Sequence, residues 1–209
     1  MFDLTSLTAR RSLRGAAVAA GLATAAGLAQ AHTGHGTHGL EAGLVHPLGL
    51  DHLLAMVAVG VWSVFALPAS KAWQGPATFM LALVVSAVLG WSGVTIPFVE
   101  HAISLSVVLF GAMLVLAARP ETRQLPAGLG LGLIAAAASL HGLAHGAETP
   151  ATGFVTYAIG FLVTTAALHA GGVMAGLSVR RWLGQHTGKL LTGAGLGLGV
   201  AGLALFSQI

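Results

Sequence analysis

Six long apolar runs, separated by short polar breaks, leave this chain few ways to fold. They cover residues 44–65, 76–94, 100–118, 126–147, 151–177 and 190–206, and each is close to the roughly 20 residues that a spanning helix needs. Only 7% of the 209 residues are charged, against about 25% in an average soluble domain. The expected fold is therefore an all-α integral membrane protein, a compact bundle of six transmembrane helices. Small-x-x-x-small patterns at Gly128/Gly132, Gly193/Gly197 and Gly195/Gly199 suit close helix packing in lipid. The chain holds no cysteine, which excludes disulfides, thiolate metal sites and cysteine nucleophiles.

The first 31 residues read as a signal peptide. Arg10, Arg11 and Arg14 precede a short apolar stretch, and Ala29-Gln30-Ala31 fits a small-x-small cleavage site. If this segment is retained, the bundle has seven helices. Residues 32–43 form a histidine- and glycine-rich external segment with His32, His35 and His38 at every third position. Metal capture and a plain solvated linker are equal readings of it. Residues 44–209 are the six-helix transmembrane domain.

Positive charge sets the expected orientation. Lys71, then Arg119 and Arg123, then Arg180, Arg181 and Lys189 all fall in odd-numbered breaks. Those breaks should be cytoplasmic, with both mature termini on the periplasmic side of a bacterial inner membrane. The nine Lys and Arg are dispersed and form no nucleic-acid patch. Trp62, Trp73, Trp91 and Trp182 lie at predicted helix ends, as interfacial aromatics should.

Ionisable residues are expensive in a bilayer unless paired, hydrated or bound to a cation, and here they are unevenly placed. The first run carries His46, Asp51 and His52; the third begins with Glu100 and His101; the fourth ends with His141, His145 and Glu148; the fifth holds His169. The predicted topology puts all but His169 toward the outer face. His169 would lie about 27 Å from the outer end, at a rise of 1.5 Å per residue, near the inner exit. The first, third, fourth and fifth helices should line a polar interior.

Imidazoles with carboxylates and no thiolates suit a borderline divalent metal such as nickel, cobalt, zinc or copper. His141 and His145, at i and i+4, share one helical face and can converge on one ion. A proton relay and a structural hydrogen-bond network are the competing uses of the same residues.

The chain resembles the HupE/UreJ nickel permeases in several separated blocks. These are His46-Pro47 through Gly60, Pro97-Phe98-Val99-Glu100, His141 through Glu148, and Gly160-Phe161 with Leu168-His169. The resemblance implies a secondary transporter, not an enzyme, that takes up Ni2+, with Co2+ as the alternative, to supply metalloenzymes such as hydrogenase or urease. Its partners are the divalent metal and the lipid bilayer, without an organic cofactor. The matched blocks put the metal positions at His46, Asp51, His52, Glu100, His145 and Glu148, with His101, His141 and His169 as secondary candidates. A membrane-embedded metalloenzyme and a non-transporting sensor or store are the alternatives.

One departure from the family pattern concerns His46. Four residues separate it from Asp51 where the family has five, and four also separate them in the otherwise unlike NiCoT transporters, whose signature is His-x4-Asp-His. In a continuous helix that deletion turns His46 by about 100° away from its companions. Pro47 and Gly49 offer a place to absorb the change. The expected roles are cation attraction by Asp51 and Glu100, nitrogen ligation by His52, His46 and His145, action at the mouth by Glu148, and a weaker inner station at His169.

Overall fold

The computed structural model describes residues 39–120, 125–149 and 153–209. The signal segment, His32, His35, His38 and Arg123 lie outside the described residues. The regular elements among the described residues are all helices: α1 (Leu40–Val45), α2 (Leu50–Ala66), α3 (Gln74–Trp91), α4 (Val99–Ala117), α5 (Ala127–Ala147), α6 (Phe154–Trp182) and α7 (Thr187–Phe206), with short 3-10 turns between some of them. Five of these helices are long and apolar enough to cross a membrane. The sixth span is the α1–α2 pair, if that broken unit counts as one.

The break corrects the expectation of a single first helix over 44–65. Residues His46–Leu48 form a 3-10 turn with Pro47 in its first positions, and Gly49 then takes an extended conformation (ψ 142°). Proline lacks the N–H that a continuing α-helix would use. The chain bends by 73° there, and α2 starts afresh at Leu50. Elsewhere the apolar runs and the helices coincide to within a few residues, except that α6 continues to Trp182, five residues past its expected end.

Helices α3 and α5 pack closely, as do α4 with α7 and α2 with α6. Small residues make these approaches possible, but of the glycines expected to pack only Gly195 does so among the described residues. A side chain at Gly142 or Gly146 of α5 would strike the α3 backbone at Leu83 or Ala87, and Gly195 and Gly202 of α7 sit as tightly on α4. Added side chains at Gly128, Gly132, Gly193, Gly197 and Gly199 would meet nothing among the described residues. Composition identifies small-residue spacing, but not the face that the neighbouring helix occupies.

The core is built from Met56, Val59, Trp62, Phe79, Phe110, Met113, Leu114 and Ile134, all at most 2% exposed. Trp62 is therefore not the interfacial aromatic its place near a helix end implied. Its ring packs over Gly130 of α5, whereas Trp73, Trp91 and Trp182 are largely exposed. Helix α7 is the least enclosed of the five long spans, in line with the lack of ionisable residues beyond Lys189 in its first turn. Because the helices alternate in direction, Asp51, His145 and Glu148 gather at one end. Lys71, Arg119 and Arg180 lie at the other, where Arg180 donates to the Val64 carbonyl (3.5 Å) near the end of α2.

Candidate metal site

The site begins at the broken helix. Asp51 lies in the first turn of α2, where the positive end of the helix dipole favours a carboxylate. Its Oδ1 is 2.7 Å from Nδ1 of the buried His52. The contact is an ion pair without hydrogen-bond alignment, and a carboxylate so placed favours a proton on Nδ1, which leaves Nε2 as the lone pair. That nitrogen meets Nε2 of His145, which α5 delivers from the opposite side. A carboxylate that fixes the tautomer of an imidazole ligand is a common outer-shell arrangement in metal sites.

His141, one turn deeper on the same face of α5, is fully buried. Its Nε2 lies 3.0 Å from the Ser106 hydroxyl of α4. That hydroxyl spends its single proton on the Ile103 carbonyl (2.6 Å), so it accepts from His141 Nε2–H. Nδ1 of His141 is then the lone pair, buried and without a hydrogen-bond partner among the described residues. One nitrogen from each of His52, His141 and His145 fits within 4.8 Å of the others. A buried acceptor without a partner is costly unless something else binds there, so the donor set fits a nitrogen-preferring divalent cation.

A second group shares His145. His46 Nε2 is 3.1 Å from His145 Nδ1, and Glu148 Oε2 is 3.9 Å from the same nitrogen. His46, His145 and Glu148 also bring one ligand atom each within 4.8 Å. The 3-10 turn thus returns His46 to the cluster despite its shortened spacing. Its ring lies 4.7 Å from that of His145 and 5.8 Å from that of Phe161. Phe161 and Tyr157 of α6 close the side of the site, with Phe161 5.0 Å from His145. Beyond them an apolar cleft between α3, α5 and α6 reaches His145. Thr149 donates to the His145 carbonyl (2.6 Å) and secures the end of α5.

Glu100 and His101 belong to neither group. Glu100 stands in the first turn of α4, and the ring of His101 faces Phe98 and Phe206 instead. His169 is also apart from the outer groups, 1% exposed on α6. It lies about 22 Å from the start of that helix and, because α6 is longer than expected, near its middle and not at an inner exit. Sequence reasoning missed Ser106, Tyr157 and Phe161 as parts of the site. A serine or an aromatic in an apolar helix carries no signal until its neighbours across the bundle are known.

A multi-pass helical membrane protein with a buried three-histidine site opening toward one end through a fourth histidine and a glutamate is the class that fold and site define. Residues 20–205 match the family model described as HupE / UreJ protein. The chain is 36% identical over 181 residues to Protein HupE of Rhizobium leguminosarum bv. viciae, covering 85% of this chain and 89% of that protein. It belongs to the HupE/UreJ family. No solved structure matches the chain. Membership of this family supports a role in metal uptake and is consistent with a non-enzymatic protein.

Proposed function

We propose that this protein is a permease that moves Ni2+, with Co2+ as the competing substrate, inward across the bacterial cytoplasmic membrane. The carrying observation is the graded burial of one continuous ligand series. Glu148 is 44% exposed, His145 8%, and His52 2%, with His141 wholly enclosed beyond them. An ion would exchange water for nitrogen stepwise along that series. Asp51 would both hold His52 in its tautomer and offset the cation's charge, and Glu148 would act at the mouth. Glu100, outside both groups, would attract the cation from a distance. A shell made only of neutral imidazoles and peripheral carboxylates is loose enough to release its ion, as transport requires.

The direction of transport rests on topology. With Lys71, Arg119, Arg180 and Arg181 at the cytoplasmic end, the Asp51–His145–Glu148 end faces the periplasm, and so do both mature termini after removal of residues 1–31. A periplasm-active reporter fused after Phe206 should be active, and a cytoplasm-active one silent. The transport reading is tested in proteoliposomes: Ni2+ uptake should saturate and should vanish in Asp51→Ala. Uptake unchanged in that variant sinks the assignment, and bound metal without flux in the parent protein favours a sensor or store.

A further inference from the structure

Beyond the outer cluster, α6 carries a buried ladder of Phe161, Thr165 and His169 at steps of four residues, which places the three side chains on one face. Phe161 covers His145, and His169 lies about 12 Å further along the axis. His169 Nδ1 is 2.8 Å from the Thr165 carbonyl. The carbonyl can only accept, so Nδ1 holds the proton and Nε2 is a bare lone pair. Nε2 has no hydrogen-bond partner among the described residues, and neither does the Thr165 hydroxyl. Two polar groups on adjacent turns of one face are thus enclosed and unsatisfied. Leucine or phenylalanine there would avoid that cost.

One ring borders both this place and the outer cluster. The centroid of Phe79 on α3 is 5.7 Å from that of His141 and 4.9 Å from that of His169. An ion leaving His141 toward His169 must pass Phe79. We propose that His169 Nε2 and the Thr165 hydroxyl form a second, weaker station for a divalent transition cation. Phe79 partitions it from the three-histidine site, so an ion is held on one side of the ring or the other. This deepens the permease reading and rests on it for the direction of travel. The chemistry runs downhill in ligand number, from three imidazoles to one imidazole and a hydroxyl. That order favours capture outside and release inward, since exit requires sites that bind weakly.

Two substitutions separate a ligand from a structural histidine. His169→Asn places an amide N–H near the position of Nδ1, preserving the Thr165 bond but removing the distal nitrogen. His169→Gln places an amide group near the position of Nε2. Both would be purified as full chains, with Ni2+ binding and Ni2+ flux measured separately. The expected result is outer-site binding within twofold of the parent in both, a fall in flux of about tenfold or more in His169→Asn, and partial recovery in His169→Gln. In protein labelled with 15N-histidine, paramagnetic Ni2+ should broaden the His169 resonance, identified by its absence in His169→Asn, in a saturable way. Parent-like flux in His169→Asn overturns the station, and so does a His169 resonance that stays sharp at Ni2+ levels far above those that fill the outer site. Saturable broadening in a protein that carries no flux supports the station and removes the permease reading alone.

Discussion

The two ligand groups that meet at His145 differ in how their nitrogens are held. In the buried group, Asp51 beside Nδ1 biases the tautomer of His52, and Ser106, itself tied to the Ile103 carbonyl, sets that of His141. In the outer group, His46 rides on a 3-10 turn and Glu148, whose backbone N–H caps α5, carries an exposed carboxylate. In the proposed permease, neighbours outside the ligand set would pre-organise one group, while the other would rearrange as water leaves. On that reading the first group would hold the ion and the second capture it.

The comparison breaks first at the shared residue. His145→Ala removes a ligand from both groups and should abolish Ni2+ binding by calorimetry, a loss beyond the roughly 10–100-fold that follows removal of an outer-shell partner. Residual binding near parental strength would mean that the two groups are not one site. Asp51→Asn comes next: the amide can present its N–H to His52 and favour the wrong tautomer, so Ni2+ affinity should fall toward the upper part of that 10–100-fold range. Ser106→Ala frees His141 to turn over and should cost nearer tenfold, with the number of histidine ligands seen by X-ray absorption dropping or becoming mixed. An unchanged spectrum and affinity would show that Ser106 serves packing alone. Glu148→Gln should be mildest, at most about fivefold in uptake at low metal, and weaker still in high salt, because an exposed charge pair contributes only about 0.2–1 kcal/mol.

Much of the fold was legible in the sequence, because a spanning helix needs an apolar run of fixed length and most of the breaks are polar. Two features resisted. Hydropathy does not distinguish a side chain facing lipid from one facing another helix, so Trp62 read as interfacial although it fills the core, and of the glycines first singled out only Gly195 makes contact. In the site, His52, His145 and Glu148 announced themselves as ionisable groups in an apolar setting. His46 looked displaced because helical geometry was carried through Pro47 and Gly49, where the chain in fact turns by 73°. Ser106 was invisible: its role depends on two partners, one on its own helix and one on α5.

The bend before α2 also has an electrical consequence. A helix of six residues followed by a turn is too short to cross the roughly 30 Å hydrocarbon layer, so the ligands stand near one face of it. His145 is two residues from the end of α5 and His141 six, depths of about 3 and 9 Å along the axis. Under the proposed direction of transport, a doubly charged ion resting there would have fallen through only a minor part of the membrane voltage. Most of the about 2.3 kcal/mol per charge per 100 mV would still be to come, so resting potential should act weakly on how tightly the ion is captured and strongly on how fast it moves on.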